Sequence, residues 1–430
     1  MECYLKNLIS FSKDGEWGKG EAFDNSVEMY AIRGTDFEDV RFGSISDIPR
    51  RHISKCHAER KLLQPWDVLI EAAGGTKNQI TGRTVLLRPG LFTNSELPFT
   101  CASFSRFIRF NTELCDPTFM FWYLQYLYTS GAMHAYHTQH TGVARFQWTT
   151  FSEREPFTIP SLSEQRRIAD ILSAYDELIE NNRRRIRILE TMARALYREW
   201  FVNFRYPGHE NIPFVQSPLG EIPKDWEVKN LAKLVTTKYG YTESANESPI
   251  GPKYLRGMDI NKTSYIDWFY VPYCQISDED KISYAVEIGD VFVIRMADPG
   301  KVGIVEQEID AVFASYLIRV RTTDARISPY FLFHLFDSPL YQNYISGAST
   351  GTTRKSASAG VITDFQFALP PKNLIATFEA QVAIFRKQLN LLLQQTQNLS
   401  RTRDLLLPRL LSEQRLSTER CIPTECRRLG

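Results

Sequence analysis

The chain has 430 residues, 43% of them hydrophobic, and its 51 Lys and Arg against 50 Asp and Glu leave a formal net charge of +1. This composition excludes a disordered chain and a broadly polybasic nucleic-acid binder, and the length predicts about two to four domains. No apolar run approaches the roughly 18 residues of a membrane span, no secretion signal is visible, and seven scattered cysteines suit a reducing compartment. We therefore expect a cytoplasmic protein with no membrane contact.

Residues 1–157 are predicted to form a mixed α/β globular domain. Three short stretches rich in β-branched and aromatic residues are predicted strands, namely Asp67–Glu71, Arg83–Leu87 and Phe104–Phe110. A helix dense in aromatic residues is predicted from Pro117 to Tyr128.

Residues 158–205 are predicted to form a long helix with a coiled-coil seam. Apolar positions alternate by four and three over more than four heptads, which is the pattern of a helix that pairs with another helix. The seam positions are Ile168, Leu172, Tyr175, Ile179, Asn182, Ile186, Leu189, Ala193, Leu196 and Trp200. Roughly 40 residues in this helix would span about 60 Å.

Residues 206–367 are predicted to form a second α/β domain, followed by a second long helix at 368–412. The predicted strands are Asp290–Arg295, Val302–Glu306 and Phe313–Arg321, and the predicted aromatic helix runs from Pro329 to Phe336. The second seam consists of Phe378, Val382, Phe385, Leu389, Leu392, Thr396, Leu399, Arg403, Leu406 and Leu410. The tail at 413–430 is expected to be disordered.

The second half of the chain repeats the first. At an offset of 223, Lys6-Asn7-Leu8 matches Lys229-Asn230-Leu231, Arg33-Gly34 matches Arg256-Gly257, and Asp67-Val68 matches Asp290-Val291. At an offset of 210, Ile108-Arg109 matches Ile318-Arg319, Pro160 matches Pro370, and the two seams coincide. The order of elements is therefore globular domain, long helix, globular domain, long helix. Two core helices of one large domain are the alternative interpretation.

The two helices are expected to pair antiparallel. The second globular domain lies between them, so a parallel pairing would need the linker to run back about 60 Å. With the midpoints aligned, an antiparallel pair places Asn182 against Thr396 and Ala193 against Phe385, so that polar meets polar and small meets large. A parallel pair would place Ala193 against Arg403. We therefore expect a rod with one globular domain at each end, related by a pseudo-twofold axis.

Two polar loops per globular domain are the candidate DNA-binding sites. Side chains of Lys, Arg, Asn, Gln, Ser and Thr read base edges and hold phosphates, and here they recur at matching places in the two copies. The alternative is that exposed loops are simply polar. The candidate residues are Lys77, Asn78, Gln79, Arg145 and Gln147 in the first domain and Lys301, Thr353, Arg354, Lys355 and Ser356 in the second.

No motif for catalysis is present in the sequence. A phosphate-binding Gly-x4-Gly-Lys-Ser/Thr motif is absent, which argues against an ATPase. His134, His137 and His140 are spaced by three, but no neighbouring cysteine or carboxylate accompanies them, so we interpret them as a solvated helix end rather than a metal site. We predict no catalytic residue, no metal site and no cofactor in this chain.

Two phrases resemble those of a known family. Leu219-Gly220-Glu221-Ile222-Pro223-Lys224-Asp225-Trp226-Glu227-Val228-Lys229-Asn230-Leu231 is similar to the lead-in of the recognition domains of type I restriction–modification specificity subunits. Ile159-Pro160-Ser161-Leu162-Ser163-Glu164-Gln165-Arg166-Arg167-Ile168 is similar to the entry into the central helix of the same proteins. The resemblance covers residues 1 to about 412, although the first domain begins without the lead-in phrase.

The resemblance implies a non-catalytic subunit with two target recognition domains. Each domain would read one half of a split, asymmetric site in double-stranded DNA, and the helices would set the gap between the halves. Two modification subunits would dock on the helices and carry S-adenosylmethionine, and restriction subunits with ATP and Mg²⁺ would join to cut DNA. The alternatives are a specificity subunit of a type IIB or IIG system, a helical scaffold whose end domains bind proteins, and an autonomous nuclease or methyltransferase.

Overall fold

The computed structural model describes residues 2–75, 79–93, 95–139, 143–349 and 355–419. The chain divides into two compact units. Unit 1 consists of Met1–Arg184 and Gln394–Gly430, and unit 2 consists of Arg185–Leu393. Each unit therefore contains one globular segment and a stretch of each long helix, whereas the sequence predicts the helices as segments separate from the globular domains.

Unit 1 contains a mixed α/β segment followed by the first long helix. Its strands are β1 (Glu2–Tyr4), β2 (Ile9–Asp14), β3 (Ser26–Ile32), β4 (Arg50–Ser54), β5 (Val68–Glu71), β6 (Ala73–Gly74), β7 (Thr84–Leu86), β8 (Phe99–Cys101), β9 (Ser105–Phe110), β10 (His137–Thr138), β11 (Ala144–Phe146) and β12 (Pro156–Thr158). Its helices are α1 (Phe37–Arg41), α2 (Lys55–Arg60), α3 (Pro89–Thr93), α4 (Pro117–Thr129), α5 (Trp148–Arg154) and the start of α6 (Leu162–Tyr197).

Unit 2 repeats this content. Its strands are β13 (Phe214–Ser217), β14 (Gly220–Pro223), β15 (Glu227–Asn230), β16 (Val235–Tyr239), β17 (Lys253–Leu255), β18 (Val291–Ile294), β19 (Val302–Ile304), β20 (Ala311–Phe313), β21 (Leu317–Thr322) and β22 (Gln366–Leu369). Its helices are α7 (Asp278–Tyr284), α8 (Pro329–Asp337), α9 (Pro339–Ala348), α10 (Ala359–Thr363) and the start of α11 (Lys372–Glu419). The predicted strand Phe313–Arg321 is wrong, because a turn closed by Leu317 N donating to Ala314 O separates β20 from β21.

The two units share one sheet topology. Unit 1 has an antiparallel sheet of order β2-β9-β5-β7, and unit 2 has the same sheet as β16-β21-β18-β19. Beside it, β3 pairs parallel with β8, and β17 pairs parallel with β20. The aromatic helix begins alike in both: Asp116 caps α4 by accepting from Phe119 N, and Ser328 caps α8 by accepting from Phe331 N. The internal repeat is therefore a repeat of architecture.

The strand registers correct two of the sequence matches. Because Val68 lies opposite Ile108 and Val291 lies opposite Val320, Ile108 corresponds to Val320 and not to Ile318. Likewise Ile9 lies opposite Phe110 and Val235 opposite Thr322, so Lys229-Asn230-Leu231 corresponds to Cys3-Tyr4-Leu5 and not to Lys6-Asn7-Leu8. The first slip is two residues, which keeps the same face of a strand, so sequence pattern alone could not detect it. The second slip is three residues.

In unit 1 the start of α6 packs against the end of α11. Ile168 and Leu172 of α6 are fully buried in one cluster with Leu407 and Leu411 of α11 and the aromatic residues of α4. One turn further along α6, Asp176 accepts from Nη1 of Arg403 at 2.5 Å. Later residues of α6 thus meet earlier residues of α11, which is an antiparallel arrangement.

In unit 2 the remainder of α6 packs against the start of α11 in the same sense. Ile186 shares a buried cluster with Leu389 and Leu392, and the ring centroid of Trp200 lies 6.3 Å from that of Phe378. Within each unit the helices therefore run antiparallel, as the sequence predicts. Every one of the twenty seam positions is buried or half-buried.

The ends of both helices differ from the predicted bounds. Helix α6 ends at Tyr197 and continues as a π-helical turn at Arg198–Val202, after which Phe204 has a positive φ of 56° that turns the chain. Helix α11 continues to Glu419, seven residues beyond its predicted end at 412. Residues 420–430 lie outside the described part of the chain.

A buried histidine in unit 2 is expected to make this unit sensitive to acid. His334 of α8 lies with its ring centroid 5.7 Å from that of Phe378 and 5.9 Å from that of Tyr197, and burial lowers its pKa to about 3. Folding therefore favours the neutral ring, and the free energy of unfolding should fall as the pH drops from about 6.5, the pKa of the unfolded chain, toward 3.

Urea unfolding at a series of pH values checks this expectation. His334→Phe should weaken the pH dependence, because phenylalanine keeps the ring and cannot take up a proton. His134→Gln is the control, because His134 is exposed. Equal slopes of stability against pH for His334→Phe and the unmodified chain would contradict the prediction.

Candidate nucleic-acid interface

In unit 1 the described parts of the two predicted loops lie side by side. They join a small sheet of order β10-β11-β6, in which Gly74 pairs with Ala144 and Ala73 pairs with Arg145. A Cβ added at Gly75 would lie 2.9 Å from the carbonyl oxygen of Gln79 and 3.4 Å from Ala144 Cβ, so the approach requires glycine. The fold thus combines into one surface two segments that lie about 70 residues apart in sequence.

Strand β11 directs its polar side chain outward. Ala144 and Phe146 are buried, whereas Arg145 between them is exposed, as the period of two along a strand requires. Gln147 and Gln79 are also exposed. Lys77 and Asn78 lie outside the described residues.

Sequence reasoning missed a basic and aromatic pair beside this loop. The guanidinium carbon of Arg106 lies 5.2 Å from the ring centroid of Trp148, the residue after Gln147. Arg106 also donates to Ser12 Oγ at 3.2 Å and pairs with Asp14 at 2.7 Å, while its Nε has no hydrogen-bond partner among the described residues. The available signal was that successive residues of a strand face opposite sides, which places half-buried Arg106 on the face opposite to buried Phe107.

In unit 2 the described parts of the corresponding loops also lie side by side. Met296 forms a β-bridge with Ser356, and Ala297 N donates to the carbonyl oxygen of Lys355 at 3.0 Å. Lys355 and Lys301 are exposed and Ser356 is half-buried. Thr353 and Arg354 lie outside the described residues.

Arg295 is the basic residue that sequence reasoning missed in unit 2. It follows β18 directly, its guanidinium carbon lies 5.0 Å from the ring centroid of Tyr239, and its backbone N–H donates to Tyr316 O. Tyr239 and Tyr316 are 43% and 49% exposed, and Arg295 Nε is buried without a hydrogen-bond partner among the described residues. Arginine and exposed tyrosine together suit contact with a phosphate or a base.

The histidine triplet makes no metal site in the described part of the chain. His137 Nδ1 lies 3.0 Å from Thr81 Oγ1 and 3.2 Å from Thr81 N, so this ring is held by Thr81, while His134 is exposed and His140 is not described. Among the described residues, no group of three or more His, Cys, Asp or Glu side chains is placed to hold a metal ion.

No helix in the described part of the chain has an apolar stretch long enough to cross a membrane.

Comparison with known proteins identifies the class of this chain. Residues 83–191 match the family model of the type I restriction modification DNA specificity domain. The MjaIX specificity subunit of a type I restriction enzyme from Methanocaldococcus jannaschii is 28% identical over 67% of this chain and 68% of its own length. The MjaVIII specificity subunit of the same organism is 28% identical over 54% of this chain and 55% of its own.

A solved structure agrees in fold. The S subunit of the type I restriction–modification system of M. genitalium is 14% identical, aligns over 96% of both chains and gives a TM-score of 0.54. Residues 83–191 thus resemble a type I restriction modification DNA specificity domain. The chain as a whole is similar in sequence to specificity subunits of type I restriction enzymes and similar in fold to an S subunit of such a system. This result favours DNA recognition over a protein-binding scaffold or an autonomous nuclease.

Proposed function

We propose that this subunit recognises a bipartite, asymmetric DNA sequence, with one half read by each unit. The observation that supports the proposal is that one sheet topology carries two different sets of polar loop residues. Unit 1 presents Arg145, Gln147 and Gln79, whereas unit 2 presents Lys301 and Lys355. Related domains with different side chains suit two different half-sites, because arginine and glutamine read base edges and lysine holds phosphates.

The two long helices would separate the half-sites and dock the modification subunits. Large apolar side chains remain exposed on them in unit 2: Ile188 and Met192 on α6 are 52% and 44% exposed, and Ile384 and Leu391 on α11 are 60% and 51% exposed. Spacings of four and seven residues keep each pair on one helix face, which suits a partner helix. S-adenosylmethionine would be bound by the modification subunits, and ATP and Mg²⁺ by the restriction subunits.

Titration of duplex DNA against the complex of this chain with its modification subunits tests the proposal. A base-reading side chain replaced by alanine should cost about 1–3 kcal/mol of binding free energy for its own half-site only. A phosphate contact should weaken binding to all sequences and lower the slope of log K against log salt by about 1. We expect Arg145→Ala and Gln147→Ala to affect one half-site and Arg295→Ala the other, whereas Lys355→Ala should weaken binding to all sequences.

Lys224→Ala is the matched control, because Lys224 is exposed in unit 2 away from these loops in sequence. It should leave the affinity unchanged. If the four loop-region variants bind DNA with the affinity and salt slope of the unmodified chain, these loops are not the reading surface.

A further inference from the structure

In unit 1 a buried carboxylate of α6 holds the globular segment. Asp176 is fully buried, and Arg41 donates to it from Nε at 2.7 Å and from Nη2 at 3.2 Å. Arg88 approaches to 3.7 Å, and Arg403 of α11 donates from the other side. Burial alone would raise the pKa of Asp176, but the guanidinium groups of Arg41 and Arg403 lower it below its usual value. The carboxylate is therefore charged and is surrounded by arginines.

In unit 2 a buried guanidinium of α11 holds the globular segment. Arg386 is 1% exposed, and it donates to the two carboxylate oxygens of Glu306 at 2.8 Å and 2.5 Å. It also donates to Ser264 Oγ and to Ser264 O, both at 2.9 Å. Here the helix supplies the cation and the globular segment supplies the anion.

The residues of the two junctions occupy equivalent positions. Asp176 and Arg386 are separated by 210, the offset that superposes the two helical seams. Val68 and Val291 are equivalent, and they lie opposite Leu86 and Ile304 on the neighbouring strands. Arg88 lies two residues after Leu86 and Glu306 two residues after Ile304, so Arg88 and Glu306 are also equivalent.

Arg41 and Ser264 are equivalent in the same way. The same turn occurs in both units: Arg33 N donates to Asp36 in unit 1, and Arg256 N donates to Asp259 in unit 2. Arg41 lies five residues after Asp36, and Ser264 lies five residues after Asp259. The repeat has therefore kept the positions of the junction, reversed the charge at Asp176/Arg386 and at Arg88/Glu306, and replaced the charged Arg41 by the neutral Ser264.

We propose that this charge reversal prevents each recognition domain from packing at the other domain's place on the helices. Each helix end accepts only a domain whose junction residues carry the complementary charge. The end with Asp176 accepts a domain that brings guanidinium groups at the positions of Arg41 and Arg88. The end with Arg386 accepts a domain that brings a carboxylate and a hydroxyl at the positions of Glu306 and Ser264. A mismatched domain at the end with Arg386 would bury like charges without a counter-ion, which is strongly unfavourable. At the end with Asp176, a mismatched domain would leave Arg403 alone to neutralise two carboxylates.

The same logic restricts which helices pair. The seam position of α6 that corresponds to Arg403 is Ala193, which is buried in the cluster that contains Phe378 and Val382. A second copy of α11 in place of α6 would bring an arginine to the position of Ala193, beside Arg386. The end of the helix pair at Arg386 therefore requires α6 as the partner.

A full-length chimera tests the proposal, with residues 206–367 replaced by a second copy of residues 1–157. This chimera places the equivalents of Arg41 and Arg88 against Arg386. We expect Arg386→Asp to raise the melting temperature of the chimera by roughly 5–10 °C and to lower that of the unmodified chain by a similar amount. A residue that only fills space would lower both, and that outcome, or no change in the chimera, would overturn the proposal.

A second measurement uses the unmodified chain and decides the question if the chimera does not fold. Arg386→Glu and Glu306→Arg should each lower the melting temperature, and the double variant should recover at least half of the loss. If the melting temperature of the double variant is no higher than that of the less stable single variant, the proposed charge matching between Arg386 and Glu306 is wrong. Neither experiment involves DNA, so its failure is distinct from a failure of the proposed DNA recognition.

Discussion

Replacing Asp176 by alanine is expected to lower the free energy of unfolding of unit 1 by about 3–5 kcal/mol. The side chain is fully buried, and its loss leaves the buried guanidinium of Arg41 without a counter-ion, while Arg403 keeps only its exposed neighbour Asp404. Removing one partner of a buried ion pair costs more than removing both, because the remaining charge cannot regain its hydration.

Urea denaturation followed by circular dichroism measures this loss. Asp170→Ala is the control, because Asp170 lies on the exposed face of the same helix and should change stability by no more than about 0.5 kcal/mol. A loss below about 1 kcal/mol for Asp176→Ala would show that the arginines find other partners or solvent, in conflict with the geometry described.

Phe378→Ala is expected to destabilise unit 2 by about 3–5 kcal/mol. Phe378 is fully buried, and its ring lies 5.0 Å from Phe201 and 5.9 Å from Tyr197 between ring centroids, so truncation leaves a cavity among rigid aromatic rings. The cost of such a cavity adds to the lost burial of the ring.

Thermal unfolding of Phe378→Ala should be compared with that of Ile384→Ala. Ile384 lies six residues further along α11 and is 60% exposed, so its truncation should be nearly neutral. Similar losses for the two variants would mean that α11 does not pack through its predicted seam in unit 2.

The seam and the repeat could be predicted because both are local patterns. A heptad pattern can be recognised from the sequence of one helix alone. The Asp-Val pair found at the start of both β5 and β18 identified these two strands as equivalent. The buried pairs of these aspartates, Asp67 with Arg109 and Asp290 with Arg321, could not be predicted, because a two-residue slip had matched Arg109 to Arg319.

The buried charges escaped prediction for a related physical reason. In an amphipathic helix a charged residue next to the seam is expected to face solvent, and nothing in the sequence near Asp176 or Arg386 indicates a partner from a distant globular segment. The same holds for Arg106 and Arg295, which approach Trp148 and Tyr239 only through the folded sheet. The predicted DNA contacts remain predictions.

The antiparallel helices have a consequence for how the chain is made. Unit 1 combines residues up to Arg184 with residues from Gln394 onward, and its core is closed by Leu407 and Leu411. At about 5–20 residues per second, the ribosome needs on the order of 10–40 s to synthesise the intervening stretch. During this interval Ile168 and Leu172 have no α11 to cover them, so the first unit to be synthesised is the last to be completed. A chaperone that shields this helix face would therefore protect the nascent chain.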